Sequence, residues 1–127
     1  MARPPKELTE RELEVMQAFW RLGETTVAEV RDDLAKAGID RAYTTIATLV
    51  RILADKGFLR QKNEERPFRY EPARSREEVS RRLLGTLLER VFGGSREQLL
   101  MHLMERETLT DRERALLEEI LNRGPKS

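Results

Sequence analysis

The segment from Arg41 to Gly57 has the clearest pattern of apolar and polar positions in the chain. Its apolar residues recur at i, i+3, i+4 and i+7, which places them on one side of a helix: Ile46, Leu49, Val50 and Leu53. Asp40 can cap the start of this helix, and Gly57 can adopt the left-handed conformation that ends it. The pattern therefore predicts a helix over residues 41–56.

The opposite face of this predicted helix is unusual for a surface that meets only water. It carries three threonines framed by two arginines and a tyrosine: Arg41, Tyr43, Thr44, Thr45, Thr48 and Arg51. Threonine is a weak helix former, and solvated helix faces usually carry Glu, Lys or Gln. Small hydroxyl side chains let a helix lie deep in the major groove of DNA, where arginine can bind guanine or phosphate. The alternative is an ordinary amphipathic helix with an uncommon surface.

Helix starts elsewhere are marked by Ser/Thr-x-x-Glu/Gln, the pattern of a reciprocal capping box. This pattern occurs at Thr9–Glu12, Thr26–Glu29, Ser75–Glu78, Ser95–Gln98 and Thr110–Glu113. With the segment 41–56 it predicts six helices, of which the others cover about residues 10–22, 27–37, 76–92, 96–106 and 111–122. A short turn joins the second and third helices, so these two form a predicted helix-turn-helix unit.

The apolar positions of the first two helices define their buried faces. The expected inner side chains are Leu13, Met16, Phe19 and Trp20 in the first helix, and Val27, Val30 and Leu34 in the second. Residues 24–26 between these helices can form a minimal strand.

After Gly57 the period changes from 3.6 to 2, since Phe68 and Tyr70 alternate with Arg69. The pattern predicts a hairpin with strands over residues 58–62 and 68–72. Two strands alone are marginally stable, so the hairpin must pack on the helices. It carries the cations Arg60, Lys62, Arg66 and Arg69. They are typical either of a solvated ribbon whose edge is protected by charge or of a wing beside DNA phosphates.

The residues after Ser75 hold more leucine than three short helices can bury among themselves. Their apolar stripes comprise Leu83, Leu84, Leu87, Leu88, Val91, Leu99, Leu100, Leu103, Leu116, Leu117, Ile120 and Leu121. A second copy of the chain would cover these side chains, so we expect a homodimer. The alternative is that the helix 76–92 folds back on the N-terminal half.

The expected architecture is mainly α with a small β-hairpin. It consists of a winged helix-turn-helix domain over residues 1–74 and a C-terminal helical dimerisation domain over residues 75–127. The distribution of charge supports DNA binding by the first of these. Residues 41–74 hold eight Lys and Arg against four Asp and Glu, a net charge of +4, although the whole chain carries only +1. A local basic patch is what phosphate contact requires.

Other classes of function find little support in the sequence. The chain has no Cys and one His, so disulfides, thiol catalysis and a transition-metal site are not expected. It shows no nucleophile–base pair and no Gly-rich phosphate loop, so we expect neither an enzyme nor a cofactor. No apolar run approaches the ~20 residues of a membrane span, and residues 1–8 lack the apolar core of a signal peptide. We therefore expect a cytoplasmic protein.

Three stretches of the chain carry motifs at the spacings of a known family. They are LTERELEVMQAFWRLGETTVAEVRDDL, AYTTIATLVRILADKGFL and RPFRYEP, with Y-T-T-I-x-T-L, K-G-F-L and F-x-Y-x-P among their motifs. The chain thereby resembles the penicillinase-repressor family, which includes BlaI, MecI and the related copper-responsive CopY repressors. The similarity extends over nearly the whole chain, including the leucine-rich helices at its end.

The resemblance implies a homodimeric transcriptional repressor that binds a palindromic double-stranded DNA operator with TACA/TGTA-like half-sites. It makes Thr44, Thr45, Thr48 and Arg51 the expected base contacts. Together with the charge of Arg41, it gives the expected contacts to the DNA backbone: Arg41, Tyr43, Arg60, Lys62, Arg66 and Arg69. Ala47 departs from the family pattern, because several members carry a long polar side chain at this position.

The resemblance also bears on how repression ends. In antibiotic-responsive members, a membrane sensor triggers proteolysis at an Asn-Phe bond in the dimerisation region, and the aligned bond here is His102–Leu103. This makes the bond a candidate cleavage site and a membrane sensor or protease a candidate partner. The alternative is that His102 is a solvated helix residue and Leu103 a core residue. Copper sensing is disfavoured, because the copper-responsive branch uses C-terminal Cys pairs and this chain has no Cys.

Two further functions are compatible with the sequence. A winged helix can serve as a protein-interaction module without binding specific DNA, because a fold does not fix a function. A small-molecule-sensing repressor would need a pocket between the two halves of the chain.

Overall fold

The computed structural model of the chain describes residues 7–106 and 109–123. Within these residues it contains α1 (Glu10–Leu22), β1 (Thr25–Thr26), α2 (Val27–Lys36), α3 (Tyr43–Asp55), β2 (Leu59–Gln61), β3 (Arg69–Pro72), α4 (Arg76–Arg90), α5 (Arg96–Arg106) and α6 (Asp111–Arg123). The fold is mainly α with a small antiparallel sheet, which confirms the predicted class. None of the helices in this described part is long and apolar enough to cross a membrane.

The predicted capping boxes explain where most helices begin. At α1 the Thr9 hydroxyl accepts the Glu12 N–H at 3.1 Å, and the Glu12 carboxylate accepts the Thr9 N–H at 2.9 Å. Complete boxes also form before α2 and α6. The serines before α4 and α5 each accept a backbone N–H three residues on. Each bond satisfies a donor that the first turn of a helix leaves without a partner.

α3 begins later than the sequence predicts but ends as expected. Asp40 does not cap it, because Ala42 is still extended (φ −67°, ψ 148°) and occupies the cap position without a side-chain bond. The prediction for Asp40 is therefore wrong. At the other end Gly57 has a φ of 88°, and the Phe58 N–H donates to the Leu53 carbonyl at 2.9 Å. This is a Schellman ending, which requires the left-handed residue that glycine supplies.

The hairpin of β2 and β3, here called the wing, belongs to a sheet of three strands in the order β1-β3-β2 with antiparallel pairing. β1 is the minimal strand that the sequence suggested before α2. The register sets Thr25 opposite Tyr70 and Arg60 opposite Glu71. Tyr70 is buried against the core, so Glu71 next to it points to the other face of the sheet.

The hydrophobic core joins α1, α2, α3, the sheet and the first turn of α4. The predicted inner positions that are buried are Met16, Phe19, Val27, Val30, Leu34, Ile46, Val50 and Leu53. Val15 is also buried, although its position did not predict this, whereas Leu13 and Leu49 are only half-buried. Trp20, an expected core residue, is half-buried too. Its indole N–H donates to the Arg74 carbonyl at 2.9 Å, so its polar edge requires a partner at the surface.

The chain divides into two compact units, Met1–Ser80 and Arg81–Ser127, here called the winged-helix unit and the tail unit. The division lies inside α4, after the boundary at residues 74/75 that the sequence suggested. The first turn of α4 groups with the winged-helix unit because Val79 lies in its core, with 5% of its surface exposed.

Candidate nucleic-acid interface

α3 presents a stripe of exposed side chains along one side. Thr44, Thr48, Arg51 and Asp55 follow one another at spacings of three or four residues, opposite the buried face of the helix. Three of the four predicted base contacts therefore share one exposed surface, while Thr45 is half-buried at its edge. The acidic Asp55 at the end of the stripe was not predicted to belong to it.

Tyr43, a predicted backbone contact, begins α3 and is 46% exposed. The guanidinium carbon of Arg31 on α2 lies 5.8 Å from the centre of its ring. This distance is typical of a cation–π contact. The contact joins α2 to the start of α3 at the surface of the helix-turn-helix unit.

Arg41, another predicted backbone contact, forms an ion pair with Glu14 of α1. Its Nη2 atom lies 3.1 and 3.2 Å from the two carboxylate oxygens, and the side chains of both residues are about one-quarter exposed. A guanidinium that bonds both oxygens of a carboxylate is held in a defined orientation. The pair therefore links α1 to the segment that leads into α3.

Three cations on or next to the two wing strands have carboxylate partners. Arg60 Nη1 lies 2.5 Å from Glu71 Oε2, and Lys62 Nζ lies 3.5 Å from the same oxygen. Arg69 Nε lies 2.9 Å from an oxygen of Glu24, a residue that precedes β1. These carboxylates did not stand out in the sequence, because their neighbours in space lie far away along the chain.

The loop between β2 and β3 is organised by Asn63. Its side-chain amide donates to two loop carbonyls at 3.0 and 3.1 Å, and its Oδ1 accepts the Arg69 N–H at 2.7 Å. Within this loop the guanidinium carbon of Arg66 lies 5.0 Å from the centre of the Phe68 ring. Asn63 was not among the predicted site residues, although asparagine in a short loop is a general turn signal.

Two carboxylates on this side of the unit have a pKa below the ordinary value of 4.5. The hydrogen bond from Arg60 lowers the pKa of Glu71, and the charge of Lys62 lowers it further, while desolvation raises it in part. The hydrogen bond from the Thr25 hydroxyl lowers the pKa of Glu29. Glu71 is therefore a negative charge at neutral pH in the middle of the basic wing.

A groove of about 610 Å³ lies between α3 and the wing, within the winged-helix unit. Its walls include the apolar side chains of Val27, Ala47 and Phe68 and the guanidinium groups of Arg51 and Arg66. The fold thus brings a predicted base contact and a predicted backbone contact to one concave surface. Asp55 lines the same groove, so the two arginines face one acidic residue there. The remaining positive charge favours anions in the cleft.

The predicted association residues of the tail unit are largely exposed in the single chain. The exposed ones are Leu83, Leu84, Leu87, Val91, Leu100, Leu103, Leu116, Leu117, Ile120 and Leu121. Leu88 and Leu99 are half-buried. Large apolar surfaces are rare on soluble monomers, so this concentration of leucine is typical of an interaction surface.

The candidate cleavage bond lies in the middle of α5. His102 is exposed, with Nδ1 2.9 Å from the Gln98 carbonyl oxygen and its ring edge-on to Phe92 at 5.2 Å. Leu103 is 60% exposed, so the alternative that made it a core residue is wrong for the single chain. The bond is accessible but has helical backbone geometry.

Known proteins resemble this chain over most of its length. The sequence profile of the penicillinase repressor family matches residues 8–123. An uncharacterized 16.5 kDa protein of Latilactobacillus sakei is 31% identical over 121 residues, which cover 95% of this chain and 82% of that protein. The transcriptional regulator BlaI of Mycobacterium tuberculosis is 36% identical over 94 residues, 72% of this chain and 67% of BlaI. The methicillin resistance regulatory protein MecI of Staphylococcus aureus is 25% identical over 117 residues, 92% of this chain and 94% of MecI.

A solved structure agrees with these relatives. The DNA-binding domain of the repressor BlaI is 31% identical and superposes with a TM-score of 0.50 over 61% of this chain and 93% of that domain. The chain has a helix-turn-helix and a basic wing, and it matches repressors of this kind in sequence and in structure. These features define it as a winged-helix transcriptional repressor. The chain belongs to the penicillinase repressor family, which confirms the resemblance read from its motifs.

Proposed function

We propose that this chain represses transcription as a homodimer that binds a palindromic operator with TACA/TGTA-like half-sites. The observation that carries the proposal is the exposed stripe of Thr44, Thr48 and Arg51 on α3, whose Arg51 lines one groove together with Arg66 of the basic wing. The major groove of B-DNA admits an α-helix. Small threonine side chains allow close approach of α3, and the wing cations suit the adjoining phosphates.

Within this proposal the base contacts come from Thr44, Thr45, Thr48 and Arg51. A threonine can donate or accept a hydrogen bond and can also touch the thymine methyl group. Arg51 is long enough to bind the O6 and N7 atoms of a guanine, and the TACA/TGTA dyad offers a guanine in each half-site. Thr45, which is half-buried, is expected to contribute less than its neighbours.

The proposed contacts to the DNA backbone are made by Arg41, Tyr43, Arg60, Lys62, Arg66 and Arg69. Such contacts fix the register of a protein on the duplex but carry little sequence information. Arg41, Arg60, Lys62 and Arg69 each have a carboxylate partner in the free protein. To contact a phosphate, each must share or leave that partner.

The proposed homodimer is held together by the tail unit. Its exposed leucines need a covering surface, and a second copy of the chain provides a self-complementary one through two-fold symmetry. The same symmetry would present two copies of α3 to the two halves of a palindrome. In this arrangement residues 75–127 serve association and residues 1–74 serve DNA binding.

Repression is proposed to end by proteolysis at the His102–Leu103 bond, triggered by a membrane sensor or its protease. Leu103 is exposed in the single chain but belongs to the surface that the proposed homodimer covers, so the tail unit must open before a protease reaches the bond. Proteases act on locally opened backbone, so the middle of α5 must first unwind. The departure from the family's Asn-Phe pair implies a protease of different specificity.

The experiment that tests the proposal titrates the full chain against a duplex with a TACA/TGTA dyad and against a scrambled duplex of equal length. Both titrations are run at two salt concentrations. The expected result is preferred binding to the dyad with two chains per duplex and an affinity that falls steeply with salt. Equal, weak binding to both duplexes would contradict the proposed operator. An absence of binding at low salt would overturn the repressor function and favour the protein-interaction module.

A further inference from the structure

Glu71 lies at the centre of the charged surface of the wing. One of its carboxylate oxygens is 2.5 Å from Arg60 Nη1 and 3.5 Å from Lys62 Nζ, so a single acidic group faces two of the candidate phosphate contacts. The side chain of Glu71 is 26% exposed, whereas those of Arg60 and Lys62 are 57% and 39% exposed. The side chain of Glu71 is therefore more buried than the two cations that it binds.

This arrangement follows from the strand register. Glu71 is directly opposite Arg60 in the pairing of β2 with β3, and residues opposite each other have side chains on the same face. Glu71 pairs with β2 through Arg60, and β1 pairs with β3 at the adjacent Tyr70, which limits how far Glu71 can move. The negative charge thus stays next to Arg60 and Lys62 when a phosphate approaches them.

We propose that Glu71 competes with DNA phosphates for Arg60 and Lys62, and thereby limits the affinity of the wing for DNA of any sequence. This inference rests on the proposed function as a DNA-binding repressor. A carboxylate that neutralises one of two cations leaves a net charge of about +1 for the phosphates, so fewer counterions are released on binding. Because backbone contacts do not read bases, weakening them lowers non-specific and specific binding alike.

The simpler interpretation is that Glu71 only stabilises the hairpin, as cross-strand ion pairs commonly do. A third is that it orients Arg60 and Lys62 towards the phosphates. The three interpretations predict different effects on DNA binding when the charge of Glu71 is removed. Competition predicts tighter binding, a purely structural role predicts unchanged binding, and orientation predicts weaker binding.

The test compares Glu71→Gln with the parent chain on the TACA/TGTA duplex and on scrambled DNA across a series of salt concentrations. Glu64→Gln is the matched control, because Glu64 is exposed in the loop of the same wing and forms no ion pair among the described residues. Both variants remove one negative charge. Glu71→Asp is a second control, because it retains the charge. Circular dichroism checks that every variant is folded.

We expect Glu71→Gln to bind both duplexes roughly three- to tenfold more tightly at low salt, with the slope of log affinity against log salt steeper by about 0.9. Glu64→Gln should have a smaller effect, and Glu71→Asp should stay within about twofold of the parent. Unchanged or weaker binding by folded Glu71→Gln would overturn the inference, and so would an equal gain in Glu64→Gln. If the parent chain itself binds neither duplex, the proposed function fails first, which is a distinguishable result.

Discussion

The ammonium group of Lys56 lies 2.8 Å from the carboxylate of Glu12 and ties the end of α3 to the first turn of α1. The side chain of Glu12 is only 5% exposed, and its carboxylate also accepts the Thr9 N–H that completes the capping box of α1. The Glu12 carboxylate therefore satisfies a backbone N–H at the start of α1 and also holds the end of α3 through Lys56. Because α3 carries the candidate base contacts, this pair helps to set where they lie.

Removal of the cation should expose the cost of the buried carboxylate. We expect Lys56→Met to lower the free energy of unfolding by about 2–4 kcal/mol, since an unpaired buried charge is more costly than a lost surface contact. Urea titration followed by circular dichroism measures this change. Lys36→Met is the control, because Lys36 is exposed at the end of α2 and should change stability by less than about 0.5 kcal/mol. Equal effects of the two substitutions would contradict a special role for the pair.

The same carboxylate should make stability depend on pH. Burial raises the pKa of Glu12, but the hydrogen bonds from Lys56 and Thr9 together lower it by more than burial raises it. The pKa therefore lies below 4.5. A carboxyl with a depressed pKa stabilises the fold above its unfolded-state pKa, and this contribution is lost as the pH falls through the folded-state value. Between about pH 5 and pH 3 the free energy of unfolding should therefore fall more steeply in the parent than in Glu12→Gln. Parallel curves would show that Glu12 titrates alike in both states.

Arg51 should read bases rather than only supply charge. We expect Arg51→Ala to weaken binding to the TACA/TGTA duplex by about 1–3 kcal/mol and to reduce the preference over scrambled DNA. Lys62→Ala is the matched comparison, because a phosphate contact should weaken binding to both duplexes about equally. The measurement is a pair of titrations at one fixed salt concentration. Equal loss on both duplexes in Arg51→Ala would show that Arg51 does not read sequence.

A charge within the leucine surface should separate the two copies of the proposed homodimer. Leu84 is 53% exposed in the single chain, so Leu84→Glu should leave each chain folded while it disfavours burial against a partner. Sedimentation velocity should then report a monomer at concentrations where the parent is a dimer. Glu118→Lys, at an exposed polar position of α6, is the control and should stay dimeric. A parent chain that sediments as a monomer would refute the proposed assembly.

Gly85 should be replaceable with a gain in stability. It lies in the interior of α4, and a Cβ atom placed there would meet open space within the chain. Gly85→Ala should therefore raise the free energy of unfolding by up to about 1 kcal/mol, because alanine loses less entropy in a helix. Gly94→Ala should lower it instead, because Gly94 has a φ of 84°. A loss of stability in Gly85→Ala would indicate that a partner helix packs closely at this position.

The helix limits were readable from the sequence because their signals are local. The Thr9 and Glu12 pair predicts the start of α1, and Gly57 predicts the end of α3, through bonds that span only a few residues. The prediction that Asp40 caps α3 was wrong for the same reason, since it rested on a local signal alone. Its side chain suits a cap, but the chain stays extended through Ala42, next to Arg41, which pairs with Glu14 of α1, and the helix begins after Ala42.

The exposed stripe of Thr44, Thr48 and Arg51 was likewise predictable, because it follows from the periodicity of a single helix. Contact of these residues with DNA bases stays a prediction. The acidic partners of the cations were not readable. The pairing of Glu14 with Arg41 depends on contacts between elements that are distant in sequence, and single-chain periodicity carries no such information. The pairing of β1 with β3 is hidden for the same reason.

Val79, the last residue of the core of the winged-helix unit, precedes the His102–Leu103 bond by most of α4 and the start of α5. Under the proposed mechanism, a cut at that bond would leave this core whole. The winged-helix unit of each cut chain would still be folded and would still bind its half-site. The second docking event, however, would no longer be intramolecular, and its effective concentration would fall to that of free protein. Derepression would then result from a loss of avidity, while the winged-helix unit that binds DNA stays intact.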